Sequence, residues 1–143
     1  MKRSAGILPY KYIDNEIYVY LEHPGGPFWD GIDKWSVVKG EYSNEKAINA
    51  ARREFLEESG FDIKEDLEYL GSFKLKDKLV IIFCLEKDLD VSKMKSNTFI
   101  RDSKEYLEMD EARWFKIDEA YDKIFNRQKK ILDRLKLIKE RKQ

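Results

Sequence analysis

The chain has 143 residues, 42% hydrophobic and 39% charged, which is enough apolar material for one domain spanning residues 1–143. Its 28 basic residues balance its 28 acidic residues, so the strong net charge of many nucleic-acid-binding proteins is excluded. The longest apolar run, residues 79–85, is too short to span a membrane, and a lone cysteine, Cys84, excludes an intrachain disulfide. We therefore expect a cytoplasmic protein with no membrane partner.

The balanced total hides two regions of opposite charge. Residues 41–70 contain nine acidic and four basic side chains, whereas residues 116–143 contain ten basic and five acidic ones. The first region is suited to binding cations and the second to binding anions.

The first half of the chain predicts three strands and a helix. Strands are expected over residues 4–12 and 16–23, because Asp14 and Asn15 between them favour a tight hairpin turn. A Pro-Gly-Gly-Pro loop at 24–27 precedes a short strand over 35–38 that ends at Gly40. The helix is expected over 43–59, with Ser43 or Asn44 as its N-cap and Gly60 as its C-terminal stop.

The second half predicts three more strands and a second helix. Strands are expected over 67–75, 79–86 and 112–117, and the continuous apolar run in the second of them indicates burial on both faces. Residues 126–139 form an amphipathic helix pattern in which Ile131, Leu135 and Ile138 share one face. The sequence therefore predicts a mixed α/β domain with two helices around a sheet.

Glu54, Glu57 and Glu58 are the residues that most require an explanation. At about 100 degrees per residue they lie on one side of the first helix, where three like charges repel one another. A divalent cation would neutralise them, and carboxylate oxygens suit Mg²⁺ or Mn²⁺ better than Zn²⁺. The alternative is an ordinary solvated acidic surface. Arg53, one turn before Glu57, could hold that carboxylate in one orientation, and Gly40 lies where backbone carbonyls could complete a metal site.

This helix resembles the signature of the Nudix hydrolases, G-x5-E-x7-R-E-U-x-E-E-x-G-U, where U is a bulky apolar residue. Glu45 is followed by seven residues and then by Arg-Glu-Phe-Leu-Glu-Glu-Ser-Gly-Phe at 53–61, which matches every fixed position of the second half. Segments at 4–8, 23–29, 39–42, 96–99, 112–115 and 132–135 also look like a bacterial and archaeal-type subgroup of small Nudix pyrophosphohydrolases. The resemblance therefore covers nearly the whole chain.

Three departures from the signature stand out. Four residues instead of five separate Gly40 from Glu45, which makes the loop before the helix one residue shorter. Phe55 and Phe61 stand where aliphatic residues are usual, and Val38 replaces a common proline. None of these changes removes a carboxylate.

The resemblance implies a Nudix fold, an α/β/α sandwich with a mixed central sheet, and hydrolysis of a nucleoside diphosphate linked to another group. It implies that Glu54, Glu57 and Glu58 hold Mg²⁺, or Mn²⁺, with the carbonyl of Lys39 or Gly40 as a further ligand. Arg53 would orient Glu57, and Glu45 would support the arrangement. Glu54 is our choice of general base. The family often uses a further carboxylate from another loop, for which Glu105 and Glu108 are the candidates.

Aromatic residues supply the candidates for substrate contacts. Phe28 and Trp29 follow the Pro-Gly-Gly-Pro loop and could line a nucleobase pocket, with Trp35 and Glu45 as additional contacts. A turn followed by ordinary core aromatics is the alternative. His23, the only histidine, is expected to be incidental.

The sequence leaves three functions open. The first is a Mg²⁺-dependent pyrophosphohydrolase acting on a small nucleotide, with dinucleoside polyphosphates or nucleoside triphosphates favoured. The second is a catalytically silent sensor that binds a nucleotide on the same fold. The third is an RNA-interacting protein that uses the basic C-terminal helix, although no aromatic residues are interleaved with its charges and no nucleic-acid partner is expected. A homodimer is compatible with such a fold.

Overall fold

A computed structural model describes residues 1–141 of the chain. Within this range the strands are Lys2–Ile13 (β1), Glu16–Pro24 (β2), Val38–Glu41 (β3), Glu68–Leu75 (β4), Lys78–Glu86 (β5), Thr98–Arg101 (β6), Lys104–Leu107 (β7) and Met109–Lys116 (β8). The α-helices are Ala47–Ser59 (α1), Ile117–Lys123 (α2) and Lys129–Lys139 (α3).

The strands form a mixed six-stranded sheet and a separate β6–β7 hairpin. The main sheet has the order β4-β5-β1-β2-β8, and β3 pairs with the first part of β1. β1 and β5 are parallel, whereas β1 runs antiparallel to β2 and to β3. The predicted hairpin is present, and both Asp14 and Asn15 adopt the positive φ that its tight turn requires. The predicted mixed α/β class is therefore confirmed.

Helices cover both faces of this sheet. Tyr20 of β2 packs with the buried face of α1, whereas Ile17, Val19 and Leu21 point into a second core on the opposite face with α2 and α3, as the alternation predicts. β5 contributes to both cores, because its apolar run lies in the middle of the sheet between β4 and β1. The result is the α/β/α sandwich. None of the helices within residues 1–141 is long and apolar enough to cross a membrane.

The third strand was predicted too early in the chain. It begins at Val38, and residues 35–36 instead form isolated bridges, from Trp35 to Ile124 and from Ser36 to Glu22. These bridges tie the segment to a loop and to the edge of β2, so it does not pair continuously with β1 until Val38.

The first helix begins at Ala47 and not at Ser43. Asn44 has a positive φ of 59°, which interrupts helical geometry, and Lys46 is the N-cap residue without a side-chain cap. Glu45 therefore lies in the preceding loop. The C-terminal prediction is confirmed, because Gly60 adopts the left-handed conformation and its N–H donates to the carbonyl of Leu56.

The C-terminal part contains one more helix than predicted. The additional helix is α2, which the sequence did not predict. A 3₁₀ turn over residues 126–128 follows it and leads into α3. Ile131 and Leu135 are fully buried, but Ile138 is 41% exposed and so does not continue the apolar face. The prediction of two helices is therefore corrected to three within the described residues.

Candidate active site

Glu54 of α1 lies against Gly40 of β3. Glu54 is only 9% exposed, and its carboxylate lies directly against the backbone of Gly40. A Cβ atom built on Gly40 would come within 2.1 Å of Glu54 Oε2, so only glycine fits here while the carboxylate keeps its position. Burial raises the pKa of the Glu54 carboxyl, although hydrogen bonding to Arg53 opposes that shift.

Arg53 binds three carboxylates at once. Its Nη2 donates to Glu45 Oε1 over 2.6 Å, and its Nη1 donates to Glu54 Oε1 over 2.9 Å and to Glu57 Oε1 over 3.2 Å. Hydrogen bonds to these carboxylates, above all to Glu45, raise the pKa of Arg53, which keeps the guanidinium charged. The shortened loop after Gly40 therefore still brings Glu45 to Arg53.

Glu58 carries an unpaired oxygen in a covered position. Its Oε2 is buried and has no hydrogen-bond partner. Burial, together with the charges of Glu54 and Glu108, raises the pKa of this carboxyl to about 8, against the opposing positive charge of Lys39. Three glutamates of the predicted site, 54, 57 and 58, are thus brought to the same end of α1.

Glu22 is a buried acidic residue that the sequence reasoning did not select. It is 0% exposed, its Oε2 accepts a hydrogen bond of 2.5 Å from the hydroxyl of Tyr20, and its Oε1 has no partner. Burial raises the pKa of its carboxyl to about 8. The signal in the sequence was the alternation in β2, which places this carboxylate on the same side as Tyr20 in a strand between two neighbours.

The carboxylates fit a hard divalent cation by their chemistry. Oxygen donors from carboxylates and backbone carbonyls are the ligands of Mg²⁺ and Mn²⁺, and the bare oxygen of Glu58 needs a positive partner. Within residues 1–141, however, no three such side chains already converge as a finished metal site. Arg53 instead supplies the positive partner of Glu54 and Glu57.

The two candidates for a carboxylate from another loop lie in different places. Glu108 follows β7, its backbone bonds to Asn97 and Gly25, and its charge acts on Glu58. Glu105 lies in the β6–β7 hairpin and accepts a hydrogen bond of 2.7 Å from the Thr98 hydroxyl. The structure therefore brings Glu108, and not Glu105, next to the acidic cluster.

A cleft of about 660 Å³ lined by basic side chains lies beside the acidic cluster. Lys39 lines this cleft, and its charge also acts on Glu58 of the cluster. Burial lowers the pKa of Lys39, and the positive charges of Lys78 and Arg127 lower it further, which places three cations close together. The cleft contains five basic side chains and one acidic one: Lys34, Lys39, Lys76, Lys78, Arg127 and Asp77. This surplus of positive charge suits an anion with several phosphates.

Gln128 joins the C-terminal wall of the cleft to the segment before β3. Its side-chain Oε1 accepts a hydrogen bond of 2.9 Å from the N–H of Val37, and its Nε2 donates to the Ser36 hydroxyl over 2.9 Å. The amide is 5% exposed, so both bonds are protected from water. Arg127, the preceding residue, is thereby held at the mouth of the cleft.

The predicted aromatic contacts separate into two groups. Trp29 lines the cleft and packs edge-on against Phe125, with 5.1 Å between the ring centroids. Phe28 is 66% exposed and packs against Trp29. Trp35 is only 2% exposed in the core, and its Nε1 donates to Asp33, so a substrate contact at Trp35 stays a prediction without support from its position. His23 bonds to Asp110 and to the carbonyl of Ile32, which accounts for both ring nitrogens.

Comparisons with known proteins agree with this fold. The sequence model of the NUDIX domain matches residues 4–135. A Caenorhabditis elegans Ap4A hydrolase, solved as a binary complex, superposes with a TM-score of 0.69 at 19% identity, covering 96% of both chains. The NUDIX domain of Shewanella oneidensis NrtR, solved with ADP ribose, gives 0.64 at 14% identity over 94% of this chain and 87% of that one.

A third solved structure is a longer protein. A MutT/nudix family protein from Enterococcus faecalis superposes with a TM-score of 0.59 at 21% identity over 80% of this chain, which spans only 43% of that protein. No curated protein sequence gives a significant match. At these identities the solved structures establish the fold.

Proposed function

The chain belongs to the Nudix family of hydrolases, which act on pyrophosphate bonds, and we propose that it is a Mg²⁺-dependent pyrophosphohydrolase cleaving the diphosphate linkage of a nucleoside diphosphate derivative. Lys39 carries this proposal, because it connects a buried acidic cluster that suits a cation with a basic cleft that suits a polyphosphate. The location of the protein in the cytoplasm and its assembly as a homodimer stay predictions.

Each residue of the cluster has a separate part in the proposed reaction. Glu54, Glu57 and Glu58, with the carbonyl of Lys39 or Gly40, would hold Mg²⁺ or Mn²⁺. A cation held there would supply neutralisation of the phosphate oxygens and a lowered pKa for a water.

Arg53 fixes Glu54 and Glu57 relative to each other and to Glu45. Glu54 serves as general base, because a buried carboxyl with a raised pKa accepts a proton more readily at neutral pH.

The cleft favours a substrate with a long phosphate chain. The lining has five basic side chains and Asp77, and Glu41 pairs with Lys78, so a surplus of three positive charges remains, more than the roughly two charges of a single internal diphosphate. The ring pair formed by Trp29 and Phe125 offers a surface on which a base can stack. We therefore favour dinucleoside polyphosphates or nucleoside triphosphates over ADP-ribose, in keeping with the likeness to an Ap4A hydrolase.

The test is product release from nucleoside triphosphates, dinucleoside polyphosphates, ADP-ribose and triphosphorylated RNA, with Mg²⁺ or Mn²⁺. We expect turnover of the long-chain nucleotides that is lost in Glu57→Gln and Glu58→Gln and kept in Glu65→Gln, an exposed glutamate paired with Lys87. Turnover that survives in both cluster variants, or that needs no divalent cation, would contradict the proposal.

A nucleotide sensor is the second candidate function. The shortened loop before α1 and the likeness to the NUDIX domain of NrtR, solved with ADP ribose, favour it. Binding of ADP-ribose or another nucleotide in the calorimeter, with no product released at any cation concentration, would support the sensor over the enzyme.

The structure gives the RNA hypothesis less support. Lys130 donates to the carbonyl of Lys74 over 3.0 Å, and Lys139 pairs with Glu68 over 2.6 Å, so part of the basic helix serves to fasten α3 to β4. This hypothesis would be restored if the affinity for RNA weakened with salt and also fell when Lys129, Lys130 and Lys136 were neutralised together.

A further inference from the structure

Glu22 faces the acidic end of α1. The ring of Tyr20 packs against Phe55 of α1, with 5.7 Å between the centroids. Side chains alternate along a strand, so Glu22 shares the face of Tyr20 and also points towards α1. Glu58 lies one helical turn beyond Phe55, on the same side of the helix. The two carboxylates therefore lie in the same region between β2 and α1, and the charge of Glu58 contributes to the raised pKa of Glu22.

The two carboxylates share an unusual property. Within residues 1–141, Glu22 Oε1 and Glu58 Oε2 are the only buried side-chain nitrogen or oxygen atoms without a hydrogen-bond partner. A buried, unpaired carboxyl oxygen is costly, and ionising two such carboxyls near each other is costlier, because like charges repel. A divalent cation between them would supply the missing partner to both oxygens at once.

We propose that Glu22 is a further ligand of the divalent cation, binding through Oε1, an inference that rests on the proposed metal dependence. The hydroxyl of Tyr20 donates a hydrogen bond to Glu22 Oε2, which fixes the carboxyl and leaves Oε1 without a partner. Tyr20 is thus a positioning residue. The Nudix helix then supplies one side of the cation site, and β2 supplies the other.

The experiment is a Mn²⁺ titration of the full chain, followed by calorimetry and by the electron paramagnetic resonance signal of free Mn²⁺. Glu22→Gln is expected to weaken Mn²⁺ binding at least about tenfold, because even residues that only support metal ligands cost that much when changed. Glu16→Gln, on the same strand but half-exposed and paired with Lys116, is the matched control and should bind as wild type does.

Thermal unfolding distinguishes a ligand from a merely structural residue. Without metal, Glu22→Gln should be about as stable as wild type, because the amide oxygen still accepts from the Tyr20 hydroxyl, and its stabilisation by Mn²⁺ should be smaller. A less stable variant with unchanged Mn²⁺ affinity would overturn the proposal. If Glu22→Gln does not fold, Glu22→Asp takes its place and is judged on Mn²⁺ affinity alone, which its shorter reach should weaken; unchanged affinity would overturn the proposal.

The outcomes also separate this inference from the proposed function. Wild-type Mn²⁺ affinity in Glu22→Gln, combined with loss of affinity in Glu58→Gln, would overturn the role of Glu22 alone. Failure of the wild-type protein itself to bind Mn²⁺ would overturn the metal-dependent function, and the role of Glu22 with it.

Discussion

The carboxylate of Glu54 occupies the space that a side chain on Gly40 would need. A separation of 2.1 Å between a Cβ atom at Gly40 and Glu54 Oε2 is far inside van der Waals contact. Gly40→Ala should therefore displace Glu54, destabilise the protein by about 1–3 kcal/mol as other overpacked sites do, and reduce kcat. Thermal unfolding and steady-state kinetics measure the two effects.

A double variant checks that the contact with Glu54 is the cause. In a Glu54→Ala background the obstruction is removed, so Gly40→Ala should cost much less stability there than in wild type. An equal cost in both backgrounds would show that the backbone of β3, and not Glu54, excludes a side chain at this position.

Arg53→Lys tests the link among three carboxylates. A lysine ammonium cannot reproduce the planar fork that bonds Glu45, Glu54 and Glu57 together, so kcat should fall on the order of tenfold to hundredfold. Arg52→Lys is the matched control, since Arg52 is the neighbouring residue and donates to the carbonyl of Ile63 away from the cluster. Equal losses in the two variants would refute a specific role for Arg53.

The free energy of unfolding of the metal-free protein should fall as the pH rises. Burial raises the pKa of both Glu22 and Glu58 to about 8 from the ordinary 4.5. Between these values the folded protein keeps protons that the unfolded chain has released, so its free energy of unfolding falls as the pH rises from about 5 to 8.

Thermal unfolding at several pH values, with a chelator present, measures this decline. Glu58→Gln should flatten it, because the substituted amide no longer titrates, and added Mn²⁺ should reduce it, because the cation favours the ionised carboxylates. A stability that is constant or rises over this range would show that the two carboxyls titrate normally.

Arg127→Gln tests the cleft as the phosphate site. The side chain lines the cleft near Lys39 but is exposed, so its loss should raise KM for a long-chain nucleotide about fivefold, equivalent to ~1 kcal/mol, and leave kcat nearly unchanged. Lys130→Gln, a charge removed from the neighbouring α3, should have no effect on KM. A fall in kcat with an unchanged KM would place Arg127 outside substrate binding.

Local patterns predicted most of the strands and the C-terminal end of α1. Alternation in β2 and the apolar run in β5 reflect burial directly, and Gly60 marks a position where the left-handed conformation is needed. The β6–β7 hairpin was missed because residues 98–107 are mostly polar and lie outside the main sheet. The start of α1 was misplaced because Ser43 and Asn44 look like caps although the chain is still turning there.

The candidate site also contains residues that the sequence could group and residues that it could not. The glutamates of α1 are neighbours in sequence, so a helical spacing was enough to group them. Glu22 joins them only through the packing of β2 on α1, which no local pattern records. The cleft is assembled from segments around 34–39, 76–78 and 126–128, and its charges meet only after the sheet and the C-terminal segment have come together.

Gln128 ties together two distant parts of the chain. Its two hydrogen bonds join residues that are 91 and 92 positions apart. Residues 1–110 contain β1 to β7 and α1, and with them every carboxylate of the acidic cluster, whereas Arg127 belongs to the segment that Gln128 anchors. We therefore expect loss of these two bonds to disturb the basic cleft and to leave the acidic cluster in place.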